Sequence, residues 1–378
     1  MSSSTNSPKD PSKARSEERQ KLFRGCQRFL NGHGPRQPHA ELKELAQAAD
    51  PAQPSDFYGS GGALEEFEAE LARLFDQPAA LFLPSGTLAQ QIALRIHAER
   101  RGCSRVAFHP TCHLELHEQR GYRHLHRLEV CLVGRRDRLI TRADLDSVHE
   151  RLAALLLELP QRELGGVLPS WEELTAQAGW AKERSVALHL DGARLWESAA
   201  FYGRSLAEIA ALFDSLYVSF YKALGAIAGA ALLGSTAFIA EARIWQRRQG
   251  GNLVSLYPFV LSARESLKRR LGKLDEYRAR ACAIAALFAR LPGVRVAPDP
   301  PHTNLFHVYL PVPEEPLLEA SAALAERHGV ALVMRTRPCD VPGHSVVEIS
   351  IGDAACAIEL EELDGHLREL LERAQTLV

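Results

Sequence analysis

Leu188-His189-Leu190-Asp191-Gly192-Ala193-Arg194 is the stretch that decides the fold, together with Ser219-Phe220-Tyr221-Lys222-Ala223-Leu224-Gly225 further along the chain. In the first stretch an apolar run ends at Asp191, and a helix-like stretch follows. In the second, the apolar run 216–220 ends close to Lys222. Because strands of an α/β sheet present their carboxyl ends at the edge that binds ligands, we expect Asp191 and Lys222 to share one pocket.

A carboxylate and an amine in one pocket suggest a particular cofactor, pyridoxal 5'-phosphate. A lysine amine forms a Schiff base with the cofactor's aldehyde. A carboxylate keeps the pyridine nitrogen protonated, so that the ring can accept electrons. The sequence therefore predicts this cofactor, with Lys222 as its attachment point and Asp191 as the partner of its ring nitrogen.

Short apolar runs alternate with helical stretches over the first two thirds of the chain, which predicts a mostly parallel sheet covered by helices. The predicted strands cover 79–83, 106–108, 128–133, 154–159, 186–190, 216–220 and 228–233, and predicted helices cover 63–75 and 87–98. After Gly293 the pattern changes to strand, strand, helix, strand, strand, helix, which predicts a smaller α+β domain.

The same patterns predict the domain organisation. Residues 1–20 are rich in Ser, Lys, Glu and Pro, and we expect them to form a disordered tail. Residues 21–262 are expected to form an N-terminal arm and the large domain. Residues 263–378 are expected to form a connector helix, running to about residue 290, and the small C-terminal domain.

Composition excludes several classes of protein. The formal net charge is −2 and charges of both signs are mixed, so the chain has no basic footprint for nucleic acid. No apolar run reaches the roughly 18 residues that a membrane helix needs, and the N-terminus lacks the apolar core of a secretory signal. Seven scattered cysteines without a CxxC pair are typical of reduced thiols. We expect a cytoplasmic protein that binds neither nucleic acid nor membrane.

The Asp191 stretch, the Ser85-Gly86-Thr87 turn and the Lys222 segment, in this order and spacing, resemble the threonine aldolase and β-eliminating lyase family of fold-type I pyridoxal-phosphate enzymes. The resemblance runs from about residue 57 to about residue 250. It implies a transferase-like α/β architecture, with a large domain and a small C-terminal α+β domain. It also implies a homodimer or homotetramer with active sites at the subunit interface.

The cofactor contacts have plainer alternatives. Successive N–H groups of Ser85, Gly86 and Thr87, between a strand and a helix, are suited to phosphate, but the turn could be an ordinary helix cap. Asp191 could likewise cap a helix that begins near residue 193. Lys222 could be a surface lysine. The resemblance favours the cofactor role for all of them and adds Ser219 as a further contact.

His113 is implied by the resemblance to stack on the cofactor ring, with a partly exposed structural histidine as the alternative. His117 follows at i+4, a spacing that also suits zinc. No third ligand is evident at the spacing of known zinc motifs, so we predict no metal. His117 stands where the family usually has an apolar or aromatic residue, and is either a polar pocket residue or a surface group.

Two residues are implied to meet the substrate. Arg194 is expected to bind the substrate carboxylate, for which a planar guanidinium fork is well suited; an ion pair with a nearby acid is the alternative. Tyr58 resembles an active-site tyrosine that is often supplied by the neighbouring subunit. Its alternative is aromatic packing in a turn.

Other substrate-binding positions depart from the family. In Pro160-Gln161-Arg162-Glu163 the slot of a pocket histidine falls on Glu163, and the slot of a second carboxylate-binding arginine falls on Glu348. Arg335 or Arg337 could compensate. Because an anion repels a substrate carboxylate, we expect weak affinity for free L-threonine unless Arg194 and Arg335 together hold it.

The functional prediction is a lyase that cleaves the Cα–Cβ bond of a β-hydroxy-α-amino acid, giving glycine and an aldehyde. His113, a bound water or Glu163 could take the β-hydroxyl proton. Since the altered residues are those that bind substrate, another reaction at Cα is the first alternative: β-elimination, racemisation or transamination. A non-catalytic pyridoxal-phosphate-binding protein is the second, and the presence of both Lys222 and Asp191 argues against it.

Overall fold

The computed structural model describes residues 11–378, which divide into two compact units. The large unit comprises residues 36–279 and 301–305, and the small unit comprises 11–35, 280–300 and 306–378. The predicted division at 262/263 is therefore displaced, and the N-terminal segment up to Pro35 groups with the C-terminal part of the chain.

The secondary structure alternates over the large unit and is mixed in the small one. The strands are β1 (Arg28–Phe29), β2 (Ala79–Leu83), β3 (Arg105–Phe108), β4 (Glu129–Leu132), β5 (Ala154–Glu158), β6 (Ala187–Gly192), β7 (Ser215–Ser219), β8 (Ala230–Gly234), β9 (Arg295–Ala297), β10 (Leu305–Leu310), β11 (Val330–Ala331) and β12 (Ser345–Ser350). The helices are α1 (Pro11–Arg24), α2 (Pro38–Ala48), α3 (Gly62–Leu74), α4 (Gly86–Arg101), α5 (His113–Leu116), α6 (Gly121–His126), α7 (Arg142–Asp146), α8 (Trp171–Glu183), α9 (Ala199–Tyr202), α10 (Leu206–Ala210), α11 (Thr236–Arg248), α12 (Tyr257–Arg270), α13 (Leu274–Ala289), α14 (Glu314–His328), α15 (Asp353–Cys356) and α16 (Leu360–Thr376). Short 3-10 helices span Arg162–Leu164, Leu195–Glu197 and Leu271–Lys273.

The large unit contains a seven-stranded sheet in the order β2-β8-β7-β6-β5-β3-β4. The pairs β4–β3, β3–β5, β5–β6 and β6–β7 are parallel, whereas β8 is antiparallel to both of its neighbours. The predicted mostly parallel sheet is confirmed. In the register of its centre, Glu158 pairs with Asp191 and Asp191 pairs with Tyr217, so the ends of β5, β6 and β7 meet at one edge.

Helix α4 covers one face of this sheet because its apolar residues meet those of the strands. Ala89, Ile92 and Ile96 pack in one buried cluster with Leu232 of β8 and Tyr217 of β7. Full burial of each large aliphatic side chain contributes about 1.5–3 kcal/mol. The helix is thereby fixed over the sheet, with its N-terminus at the edge where β6 and β7 end.

An aromatic cluster supports the end of β7. The Phe220 ring, fully buried, lies 5.3 Å from the ring of Phe67, 5.9 Å from that of Phe82 and 5.7 Å from that of Trp196. The Trp196 indole N–H also donates to the Ser219 carbonyl at 2.8 Å. The backbone just before Lys222 is therefore anchored by both packing and hydrogen bonding.

The small unit joins residues 23–29 to the C-terminal part of the chain. β1 pairs in parallel with β11, and Phe23, Cys26 and Phe29 pack against Ala325 and Ala331. A second sheet has the order β12-β10-β9. The element pattern predicted after residue 293 is present, with the short helix α15 in addition.

Two expectations for local structure differ from the fold. The predicted disordered tail is helical from residue 11, as part of α1, while residues 1–10 lie outside the described residues. Arg19 in α1 pairs with Glu315 at 2.5 Å, so polar composition here reflects ion pairing on a helix surface. The predicted connector helix over 262–290 is interrupted by a 3-10 turn at 271–273, where Gly272 has poor helix propensity.

None of the helices formed by residues 11–378 is long and apolar enough to cross a membrane. All seven cysteines are unpaired; Cys26 and Cys112 are buried, and the others are partly exposed.

Candidate active site

Asp191 is buried at the carboxyl end of β6, with 1% of its surface exposed. Its Oδ1 accepts the Ala193 N–H at 3.0 Å, and its Oδ2 accepts from the side-chain amide of Gln90 in α4. The first bond resembles the predicted cap, although a 3-10 helix rather than an α-helix follows. The second orients the carboxylate across the sheet edge.

Lys222 follows β7 and lies beside Asp191, so the structure brings together the two residues that the sequence placed in one pocket. Burial, followed by repulsion from Arg194, lowers the pKa of the Lys222 amine to about 8. Asp191 and Glu158 act in the opposite direction, and Arg162 adds to the lowering. A larger fraction of this amine is therefore unprotonated, and nucleophilic, at neutral pH than for an ordinary lysine.

The loop that carries Lys222 is held by two arginines. Arg36 donates to the Ala226 carbonyl at 2.7 Å, and Arg270 donates to the Leu224 carbonyl at 2.6 Å. These bonds satisfy carbonyl groups that no sheet partner reaches. Arg36 lies in the predicted N-terminal arm, and its contact gives that arm a structural role in the site.

A neutral imidazole lies behind Asp191. His189, fully buried and two residues earlier on β6, contacts Ser215 Oγ through Nδ1 at 2.8 Å, and His97 Nε2 contacts the same oxygen at 2.7 Å. Burial lowers the pKa of His189 to about 4, even though the Asp191 anion acts to raise it. Because His189 stays uncharged, it does not form an ion pair with Asp191. The negative charge of Asp191 is therefore available to a group in the pocket.

Glu158 is a second acid at this edge, partly exposed, that was not identified from the sequence. It ends β5 opposite Asp191, and its carboxylate accepts the Arg162 N–H at 3.1 Å and the Gln161 amide at 3.2 Å. Burial, and then repulsion from Asp191, raise the pKa of Glu158 to about 7. In the sequence, the signal for Glu158 was an acid at the end of an apolar run that precedes the run ending at Asp191.

The predicted phosphate turn begins α4. The Ser85 hydroxyl accepts the Leu88 N–H at 3.4 Å, so its side chain serves as the helix cap. Gly86 is required, since a Cβ there would lie 1.9 Å from the Tyr217 hydroxyl oxygen. The Tyr221 hydroxyl accepts the Gly86 N–H and also bonds to the Tyr217 hydroxyl. The phenol groups of Tyr217 and Tyr221 thus lie next to the turn at Gly86.

Neither phenol was identified from the sequence. Tyr217, Ser219 and Tyr221 are two residues apart along β7 and its extension. Since alternate residues of a strand share one face, this spacing was the signal in the sequence. The Ser219 hydroxyl donates to the Ala193 carbonyl at 2.8 Å. Its single proton is therefore committed to bracing the turn after Asp191, and Ser219 as a cofactor contact stays a prediction.

His113, His117 and Glu163 form a polar group with Glu118. His113 Nδ1 lies 3.1 Å from Glu118 Oε1, and His117 Nε2 lies 2.9 Å from Glu163 Oε1. The two imidazole rings are 5.2 Å apart, and His113 is close enough to Glu158 to lower the pKa of that carboxyl. Each imidazole thus has its own carboxylate partner, and stacking of His113 on a cofactor ring stays a prediction.

Arg194 is partly exposed next to Lys222. Among residues 11–378 no side chain or carbonyl forms a hydrogen bond or an ion pair with its guanidinium, so the alternative of a structural ion pair has no partner there. Thr87 is exposed in the first turn of α4.

Tyr58 is 43% exposed, in a turn with a positive φ of 47°. Its N–H donates to the Val254 carbonyl at 2.9 Å, and the Arg247 guanidinium lies 5.7 Å from its ring. The turn of the alternative interpretation is present and the Tyr58 ring lies 4.8 Å from the ring of Phe57, but the side chain is exposed on this chain, and its active-site role stays a prediction.

The C-terminal substrate candidates belong to the small unit. Glu348 pairs with Arg337 at 2.6 Å and lies 3.6 Å from His307 Nε2. Its charge is therefore largely offset, which weakens the argument that Glu348 repels a substrate carboxylate. Arg335 is exposed in the segment after β11.

Comparison with known proteins agrees with this geometry. A sequence model of the family described as beta-eliminating lyase matches residues 39–311. The chain belongs to this beta-eliminating lyase family. The earlier resemblance is confirmed, and so is the prediction of a lyase with the fold-type I architecture.

Individual relatives with aldolase names cover most of this chain. The chain is 34% identical to Aldolase vrtJ of Penicillium aethiopicum over 269 residues, 69% of this chain and 68% of that protein. It is 26% identical to a low-specificity L-threonine aldolase of Arabidopsis thaliana over 290 residues, 74% of this chain and 80% of that protein. A solved structure of a Listeria monocytogenes protein, provisionally assigned as an L-allo-threonine aldolase, superposes with a TM-score of 0.91 at 41% identity, covering 95% of this chain and 99% of that one.

The contact between Gln90 and Asp191 is expected to stabilise the site. Since hydrogen bonds to charged groups contribute about 1.5–3 kcal/mol, Gln90→Leu should lower the free energy of unfolding by about that amount. In a double-mutant cycle with Asp191→Ala, measured by urea unfolding, the coupling energy should be about 1 kcal/mol or more.

Gln246 supplies the matched control for this cycle. It is another buried glutamine, and its amide donates to the Phe82 carbonyl at 3.0 Å rather than to Asp191. Gln246→Leu and Asp191→Ala should be additive. Additivity of the Gln90 pair as well would show that the Gln90 contact does not hold Asp191.

Proposed function

We propose that this member of the beta-eliminating lyase family uses pyridoxal phosphate to cleave β-hydroxy-α-amino acids between Cα and Cβ, releasing glycine and an aldehyde. The observation that carries the proposal is the half-buried Lys222, whose amine has a lowered pKa, next to the buried Asp191 carboxylate. The aldolase relatives support this reaction over the other reactions at Cα.

The residues at the sheet edge fit pyridoxal phosphate. Lys222 offers an amine for the aldehyde. Asp191 offers an anion whose charge is not neutralised by His189, because the neighbouring imidazole is uncharged. The N-terminus of the sixteen-residue helix α4 begins at Gly86, where N–H groups and the helix dipole favour a phosphate. The Tyr221 hydroxyl, now bonded to the Gly86 N–H, is placed to donate to the same phosphate.

When bound, pyridoxal phosphate supplies an aldehyde for the substrate amine and a ring that accepts the electrons of the breaking bond. Asp191 would hold the proton on the ring nitrogen, and Gln90 keeps its carboxylate oriented. Arg194 would bind the substrate carboxylate through its planar fork. Lys222 would be the attachment point for the aldehyde and, with its amine free, the group that returns a proton to Cα.

Of the bases that the sequence left open, the geometry favours His113. Glu118 is a buried carboxylate that accepts from His113 Nδ1, which fixes the proton on that nitrogen and leaves Nε2 as the acceptor. Glu163 is already bound by His117 and by Arg162. His113 is therefore proposed to accept the β-hydroxyl proton of the substrate.

We also propose that the protein is a cytoplasmic homo-oligomer. Phe57 and Tyr58 are 66% and 43% exposed in one turn of the large unit. Exposed adjacent aromatic residues are favoured at protein interfaces, which supports the idea that Tyr58 reaches a second copy of the chain. Seven unpaired cysteines support a reducing compartment.

Glycine release from a panel of β-hydroxy-α-amino acids tests the proposed reaction. Wild-type protein loaded with cofactor should release glycine and one equivalent of aldehyde from at least one member. Lys222→Ala should abolish turnover, and Asp191→Asn should lose about one to two decades in rate, as expected when an interaction of about 1.5–3 kcal/mol is weakened. Cofactor-dependent turnover to pyruvate or a keto acid without glycine would refute Cα–Cβ cleavage.

The attachment of cofactor should depend on pH in a specific way. Since the pKa of Lys222 is lowered to about 8, its unprotonated fraction increases about tenfold between pH 6 and pH 7 and saturates above about pH 9. The rate at which apoenzyme takes up pyridoxal phosphate, followed by absorbance, should show the same rise and plateau. A rate that still increases beyond pH 10 would indicate an ordinary lysine.

A further inference from the structure

The turn after β5 places a second arginine close to Lys222. Arg162 begins the 3-10 helix that follows this strand, and its N–H is bound by Glu158, which pairs in the sheet with Asp191. The Gln161 amide donates to the other oxygen of Glu158 at 3.2 Å. One bond from the Arg162 backbone and one from the Gln161 side chain therefore fasten this turn to the edge that carries the site.

The Arg162 side chain, 22% exposed, reaches the polar group that contains Glu163, since its NH1 lies 3.4 Å from Glu163 Oε1. The same oxygen also contacts His117 Nε2, at the shorter distance of 2.9 Å. Repulsion from Arg194 and Arg162 also acts on the Lys222 amine, in agreement with this placement.

Two arginines, Arg162 and Arg194, near the reactive amine of Lys222 are suited to bind the carboxylate of a free amino acid. The substrate amine must replace Lys222 at the same reacting atom. Its carboxylate is carried on the adjacent carbon, within a few ångströms of that position. Arg194 alone can form a bidentate pair, but it leaves the outer lone pairs of the carboxylate without donors.

We propose that Arg162 is a substrate-binding residue that holds the α-carboxylate together with Arg194. This inference rests on the proposed amino-acid substrate. Glu163 and His117 act as positioning residues, because Glu163 contacts both His117 and the Arg162 guanidinium. Arg162 contributes to binding of every substrate with a free carboxylate, whatever its β-substituent.

Glycine and 2-aminoethanol separate this role from a structural one. Both present a primary amine, but only glycine has a carboxylate. Binding is followed by the change in cofactor absorbance when each is added to cofactor-loaded wild type, Arg162→Gln and Arg162→Lys. Arg135→Gln is the matched control, since Arg135 is a surface arginine whose side chain is 68% exposed.

Arg162→Gln should raise the apparent Kd for glycine at least tenfold and leave that for 2-aminoethanol within twofold. Arg162→Lys should restore part of the glycine affinity, because it keeps the charge but loses the planar fork. Arg135→Gln should match wild type for both. Equal weakening for both amines would overturn the inference, as would unchanged glycine affinity in Arg162→Gln.

The readout also separates this inference from the proposed reaction. Absorbance titration requires only that an amino acid binds, not that a carbon–carbon bond breaks. A protein that releases no glycine from the β-hydroxy amino acids, yet loses glycine affinity in Arg162→Gln, would refute the reaction and support the inference. Normal turnover with unchanged glycine affinity in Arg162→Gln would do the reverse.

Discussion

The burial of the Lys222 amine among opposed charges is the constraint on which the site depends. A buried ammonium needs compensation, which Asp191 and Glu158 provide. The two acids raise the pKa of the amine, whereas burial, the largest cause, lowers it together with Arg194 and Arg162. The pKa of Lys222 lies near 8 as a result.

The fold keeps these charges together by making single elements serve several purposes. Helix α4 covers the sheet with apolar residues, begins at the Gly86 turn and reaches Asp191 through Gln90. The end of β7 is fixed by the aromatic rings around Phe220, and the loop after it by Arg36 and Arg270. A change in packing at this edge therefore alters the chemistry as well as the stability.

The sequence predicted the sheet and the meeting of Asp191 with Lys222, because buried parallel strands appear as short apolar runs. One of these runs ended at Asp191 and another ended two residues before Lys222. It did not predict Gln90, Glu158 or Arg162 as members of the site. Their contacts depend on strand register and on the direction of a helix over the sheet, which a one-dimensional pattern does not contain. The pairing of β1 with β11, within the small unit, is likewise a contact between distant parts of the chain.

Covalent trapping of the cofactor tests the central claim most directly. Cofactor-loaded protein would be reduced with borohydride, digested and mapped by mass spectrometry. The account predicts a cofactor label on the peptide that contains Lys222 and no label there in Lys222→Ala. A label on Lys182 or Lys268, with Lys222 unlabelled, would contradict it.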